Sequence, residues 1–283
     1  MMNNEFINAV ILGIIEGITE FLPISSTGHL IIAEQFFHLH PGFEKMFDVV
    51  IQFGAILAVV VYFRDRLFPP LKHDTPETRE KFNEVMSIWY KSAFAVIPAL
   101  VIGGLLGKKI QQHLFNHWVV AGALFIGGII LILLEQKKHT IKYDDVDGMS
   151  YKKAFQVGLI QCFAMIPGTS RAAATIIGGM ILGGSRKAAA EFSFFLAIPT
   201  MAAASVYSLW KYRKESNMAM TKEEWLILGV GTLVSFLVAW GVIAFLMNYI
   251  RTRTFSAFGY YRIALAIVVV DYFMFFHNGG IFQ

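Results

Sequence analysis

The chain has one cysteine, Cys162, among 283 residues, so no disulfide can close within it and no cysteine-rich zinc or iron–sulfur site can form. Cys162 lies in an apolar run and reads as a small buried hydrophobe. Charge is scarce as well. Asp, Glu, Lys and Arg make up 16% of the residues, against about 25% in soluble domains. Hydrophobic residues reach 56% and the mean hydropathy is +0.57, which excludes a soluble enzyme, a disordered chain and a coiled coil. A dense basic block is missing too. The net charge of +4 and pI near 9.0 come from Lys and Arg scattered among loops, so nucleic acid is not an expected partner. Finally, residues 1–5 carry no positive charge, and Glu16 and Glu20 interrupt the first apolar stretch. That is a poor signal peptide, and the N-terminus is expected to be retained.

What is present fits helices packed in lipid. The 24 glycines let backbones approach, and 26 Phe, 10 Tyr and 5 Trp supply apolar bulk and interfacial anchors. A crossing helix needs about 20 mainly apolar residues. Six stretches approach this length, at 46–63, 92–107, 118–134, 189–210, 225–247 and 258–276, the first three of them short. Two further apolar stretches are broken midway. One runs over 6–39 and is interrupted by Glu20, Pro23, Ser25, Ser26 and His29; the other runs over 154–184 and is interrupted by Pro167, Ser170 and Arg171. Half-helices too short to span, joined by a polar turn, predict re-entrant hairpins that enter and leave on one face.

With both stretches re-entrant, one face receives 15 Lys and Arg and the other 7. The positive-inside rule then puts the richer face in the cytoplasm and both termini outside. The motif around Gly13, Glu16, Pro23 and Ser26 is echoed around Gly158, Gln161, Pro167 and Ser170, with Asp48 and Glu191 following at similar distances. Three spans separate the copies. The expected architecture is therefore an all-α polytopic membrane protein in one domain, 1–283, with inverted repeats over approximately 1–134 and 150–283.

Two polar clusters carry the chemistry. Glu16 and Glu20 stand four apart and share one helix face, where two carboxylates repel and each costs about 2.5–3.5 kcal/mol at membrane depth. A divalent cation, a shared proton or an arginine must offset that cost. The second cluster supplies Arg171, whose planar fork suits phosphate oxygens. Ser25, Ser26 and Thr27 in one cluster, with Ser170 and Thr175 in the other, set hydroxyls and free backbone N–H groups at helix starts, a geometry favourable to anions. His29, one turn from Ser26, is a candidate base or phosphate partner. His113 and His117 read as interfacial loop residues, and Asp48 and Glu191 as complements to helix dipoles.

The run from Glu16 through Glu20, Pro23, Ser25, Ser26 and Thr27 to His29, with Pro167, Gly168, Thr169, Ser170 and Arg171, resembles the two signature motifs of the bacterial undecaprenyl pyrophosphate phosphatase family, also called the bacitracin-resistance family. The similarity extends along the chain and includes Asp48, Gln52 and Glu191 at matching spacing. One departure is Ala172, where the family often carries serine; Thr169 or Thr175 is the candidate replacement for that hydroxyl.

The resemblance implies an integral membrane hydrolase of the bacterial cell membrane that converts a C55 isoprenoid pyrophosphate lipid to the monophosphate used in cell-wall synthesis. It also implies dependence on a divalent cation, Mg²⁺ or Ca²⁺, held by Glu16 and Glu20. On this reading Arg171, with Ser25, Thr27, Ser170 and Thr175, binds the pyrophosphate. Ser26 is the preferred nucleophile, with His29 as its base or as proton donor to the leaving group. A His29 nucleophile and attack by metal-bound water are the rival chemistries. A secondary transporter or lipid flippase with a midplane anion site is the alternative function. A homodimer is the candidate protein assembly.

Overall fold

The computed structural model describes residues 2–40, 42–72, 74–137, 140–216 and 220–275. The end of the last predicted span, at 276, and the end of the second predicted repeat lie outside the described residues. Helices make up most of the described chain. In order they are α1 (Met2–Thr19), α2 (Ser26–Ala33), α3 (Glu44–Tyr62), the single turn α4 (Arg64–Leu67), α5 (Pro76–Leu114), α6 (His117–Gln136), α7 (Tyr151–Gln161), α8 (Arg171–Ile181), α9 (Arg186–Ser216), α10 (Lys222–Tyr249) and α11 (Ser256–Phe275). Six of them, α3, α5, α6, α9, α10 and α11, are long and apolar enough to cross a membrane, one at each predicted span. The chain is a multi-pass membrane protein.

The predicted span at 92–107 is the apolar part of a helix of 39 residues. Thr75 caps its N-terminus reciprocally with Thr78, and Pro76 occupies the first turn, where its missing N–H costs nothing. The first turns are too polar to register as span, so sequence reading assigned them to a loop. Lys91, just ahead of the predicted span, is buried in α5 and donates to the carbonyls of Val146 and Asp147, both at 2.9 Å. His113 and His117 belong to helices, leaving only 115–116 between α5 and α6. Cys162 sits in a 3-10 turn (Cys162–Met165), part-exposed rather than buried, and donates to Gly158 O at 3.4 Å.

Both broken stretches turn back on themselves. In the first, Asn8 Nδ2 in α1 donates to His38 O beyond α2 at 2.7 Å. In the second, Lys142 N, ahead of α7, donates to Gly183 O, beyond α8, at 2.7 Å. The Tyr143 hydroxyl donates to Gly179 O at 2.9 Å, and burial pushes its pKa up to about 12, so it remains a donor at neutral pH.

The loops gather at two ends. Arg66 pairs with Asp147 at 2.7 Å, Arg186 forks onto Glu135, and Phe255 N donates to Glu135 at 2.9 Å. These bonds tie Arg66, the stretch 135–147, Arg186 and Phe255 together at one end. At the other end, Glu224 accepts from Tyr212 at 2.6 Å and contacts His40 Nε2 at 3.0 Å.

Element order repeats: a broken hairpin precedes three long helices in each half. Packing crosses between the halves. The hairpin helix α1 lies on α10, the middle span of the second half, while α7 lies on α5, the middle span of the first. Small residues permit both contacts. A Cβ at Gly13 would come within 2.7 Å of Gly231 O, and one at Gly17 within 2.8 Å of Ser235 O; at Gly158 it would strike Ala95 O.

Candidate active site

Each hairpin turns at a serine in a conformation that L-residues rarely adopt. Ser25 (φ 76°, ψ 104°) and Ser170 (φ 69°, ψ 119°) are the two non-glycine residues with positive φ among those described. Such a backbone costs about 1–3 kcal/mol and is characteristic of functional sites. Both serines are N-caps: Ser25 Oγ accepts from Gly28 N at 3.3 Å and Ser170 Oγ from Ala173 N at 3.2 Å. The structural equivalents are thus Ser25 and Ser170, one residue off the sequence echo, which paired Ser26 with Ser170. Ser26 and Arg171 become the matching first residues of α2 and α8.

The two half-helix N-termini converge on a cavity of about 250 Å³. Glu20, Ser25, Ser26 and Thr27 line it from the first turn, and Gly168, Ser170 and Arg171 from the second. Gln52, Gln161 and Thr200 add polar groups from α3, α7 and α9. Two helix starts facing one cavity make it receptive to anions, because their leading N–H groups have no intrahelical acceptor.

A chain of contacts crosses the cavity wall. Ser26 Oγ donates to Glu20 Oε2 at 2.9 Å, and Arg171 Nη2 donates to Glu20 Oε1 at 3.0 Å. The ion pair is largely buried, with side-chain exposures of 12% for Arg171 and 7% for Glu20. Arg171 Nη1 is anchored on Ser193 O at 2.9 Å, and the guanidinium lies over the Phe21 ring, 5.6 Å from its centre.

Thr175, expected among the substrate-binding residues, lies off the cavity. Its hydroxyl pairs with Ser193 Oγ at 2.6 Å and donates to Arg171 O at 2.9 Å, so it braces the residue that holds Arg171. His29 is also displaced from its expected partner. Its Nδ1 donates to Ser25 O at 2.7 Å, which leaves Nε2 to accept from the Tyr261 hydroxyl at 2.8 Å. It contacts Ser25, not Ser26.

Glu16 is fully buried behind the cavity, and neither of its carboxylate oxygens has a hydrogen-bond partner. The charged groups acting on it are Glu20, Asp48 and Arg171. Orphaned carboxylate oxygens beside a second carboxylate suit a hard divalent cation. Among the described residues no group of three or more His, Cys, Asp or Glu is arranged to hold a metal ion, so a cation held by Glu16 and Glu20 would need further oxygen ligands from outside the protein.

The bacitracin resistance protein BacA family model matches residues 9–268. The chain belongs to this family. It is 50% identical over 271 residues to undecaprenyl-diphosphatase 1 of Clostridioides difficile (strain 630), covering 95% of this chain and 96% of that protein. An undecaprenyl-diphosphatase of Limosilactobacillus fermentum is 45% identical over 273 residues (95% and 98%), and one of Enterococcus faecalis 44% over 271 (94% and 96%). In this family member, sequence reading missed Ser193, Thr200 and Tyr261. Serine and threonine in apolar helices usually bond back to their own helix, and Tyr261 is one tyrosine among ten, so nothing local set these residues apart.

Proposed function

We propose that this chain hydrolyses undecaprenyl pyrophosphate to undecaprenyl phosphate and inorganic phosphate in the bacterial cell membrane. The observation that carries the mechanism is the direct contact sequence Ser26–Glu20–Arg171 on the cavity wall. It sets a hydroxyl, a proton acceptor and a phosphate-binding cation side by side. Family membership and relatives named for hydrolysis favour this over a transporter or flippase.

Arg171, with the N–H groups at the starts of α2 and α8 and the Ser25, Thr27 and Ser170 hydroxyls, holds the diphosphate and stabilises charge on the transferred phosphoryl. Ser26 Oγ attacks the terminal phosphorus while Glu20 takes its proton. The bond to the bridging oxygen breaks, and undecaprenyl phosphate leaves. Water then attacks the phosphoserine, Glu20 returns its proton to the departing Ser26 Oγ, and dihydrogen phosphate is released carrying both protons of the water. Glu16 and Glu20 would hold a Mg²⁺ or Ca²⁺ ion, which when bound supplies charge neutralisation to the phosphate oxygens. His29 acts through Ser25, holding the carbonyl of the left-handed turn, with its two ring nitrogens engaged by Ser25 and Tyr261.

Both hairpins are proposed to dip into the membrane and leave from the face they entered, in two inverted repeats, with both termini outside. A homodimer is the proposed assembly, and the molar mass in detergent by light scattering decides it.

The deciding experiment is phosphate release from undecaprenyl pyrophosphate by the detergent-solubilised protein. Transport cannot occur there, whereas hydrolysis proceeds. Release should fall sharply with chelator and by more than about 100-fold in Arg171→Ala, because a transition-state donor is lost. Near-normal turnover by that variant refutes the arginine's role, and release indifferent to chelator refutes the metal. Acid-quenched enzyme should carry phosphate on Ser26; phosphate on His29 refutes the serine mechanism.

A further inference from the structure

Arg262, near the start of the last predicted span, is the largest fully buried side chain among the described residues. Its guanidinium donates only to backbone carbonyls: Nε to Leu124 O at 3.4 Å, Nη1 to Pro23 O at 3.3 Å, and Nη2 to Ala123 O at 3.0 Å and Gly168 O at 3.1 Å. Among the described residues it has no carboxylate within ion-pairing distance. For packing alone, an apolar side chain of similar volume serves as well or better than a buried cation.

The bonding pattern supplies the reason for a cation. Pro23 stands two residues before Ser25, and Gly168 two residues before Ser170. The guanidinium therefore grips the corresponding carbonyl in both hairpin turns, and its remaining donors fix it to α6. Only a planar fork with several diverging N–H groups can hold both turns at once. Glycines keep space for it: a Cβ at Gly127 would run into Nη2, and one at Gly128 would come within 3.2 Å of the Arg262 Cβ.

We propose that Arg262 is a positioning residue that sets the separation between the N-termini of α2 and α8, and so the distance from the Ser26 hydroxyl to the phosphoryl held at Arg171. This rests on the hydrolase reading above. Arg262 lies behind both turns and is not among the residues lining the cavity, so it acts on the rate without touching substrate.

The test compares wild type, Arg262→Lys and Gly127→Ala in detergent, measuring kcat and KM for undecaprenyl pyrophosphate together with melting temperature. A lysine ammonium keeps the charge but converges its donors on one nitrogen, and Gly127→Ala displaces the fork without removing it. A misplacement of about 1 Å costs on the order of 100-fold. The expected result is a kcat loss of that size in Arg262→Lys and a smaller one in Gly127→Ala, with KM within about threefold and both variants folded at the assay temperature. A kcat within about threefold of wild type in Arg262→Lys overturns the proposal. So does activity that merely follows the folded fraction in both variants, which makes Arg262 a stability residue. If the wild-type protein itself releases no phosphate, the hydrolase reading has failed, and the wild-type control separates that result from a failure of Arg262.

Discussion

Ser25 and Ser26 are adjacent, carry the same side chain, and do different things. The Ser25 hydroxyl accepts from the Gly28 N–H and keeps its own proton for the diphosphate, whereas the Ser26 hydroxyl donates to Glu20. Ser26→Ala should therefore abolish phosphoenzyme and reduce phosphate release by at least about 1,000-fold while leaving the melting temperature nearly unchanged. Ser25→Ala loses a helix cap, worth about 1 kcal/mol, and should show first as a lower melting temperature. If the two variants are equally inactive and equally stable, this division of roles is wrong. The sequence could place Glu16, Glu20 and Arg171 at the site because ions at membrane depth are costly and conspicuous. It could not reveal that His29 bonds to Tyr261, since that contact joins residues more than 200 positions apart. Tyr261→Phe tests the contact: loss of the hydroxyl should move the imidazole NMR titration of His29 while Ser26 phosphorylation persists.

Among the elements, hydropathy located all six long helices because lipid makes apolar length the dominant signal. What it missed was polar helix, the first turns of α5, whose charged residues carry no apolar signal. Close helix crossings were legible only as glycine, and the structure says which glycines matter. Gly54 of α3 packs on Thr232 of α10, and Gly158 of α7 on Ala95 of α5; a Cβ at either would collide with a backbone carbonyl. Backbone cannot rotate aside as a side chain can. Gly54→Ala and Gly158→Ala should each destabilise by about 1–3 kcal/mol, read as lower melting temperatures in detergent. Gly122→Ala, where a Cβ meets nothing within 4 Å, is the matched control and should leave stability unchanged.

For the whole molecule, the charge count predicts which end faces the cytoplasm, and the bonds among Arg66, Asp147, Glu135, Arg186 and Phe255 show that the basic segments share one end. In a Cys162→Ser background, a membrane-impermeant maleimide applied to intact cells should label Lys45→Cys and spare Asp65→Cys; the reverse pattern inverts the orientation. The crossed packing of hairpins was beyond sequence reading, because each half shows its own pattern but not its partner. It also bears on the order of synthesis. The surface of α10 that receives Gly13 and Gly17 emerges from the ribosome more than 200 residues after them. At about 5–20 residues per second, that leaves the first hairpin without its seat for roughly 10–40 s. For the first 151 residues of that interval Glu20 lacks Arg171, and for all of it α1 lacks the face it packs on, so the most costly residues of the chain are made first and sheltered late. A newborn N-terminal half is thus the stage at which this protein most needs a proteinaceous or aqueous refuge at the insertion site.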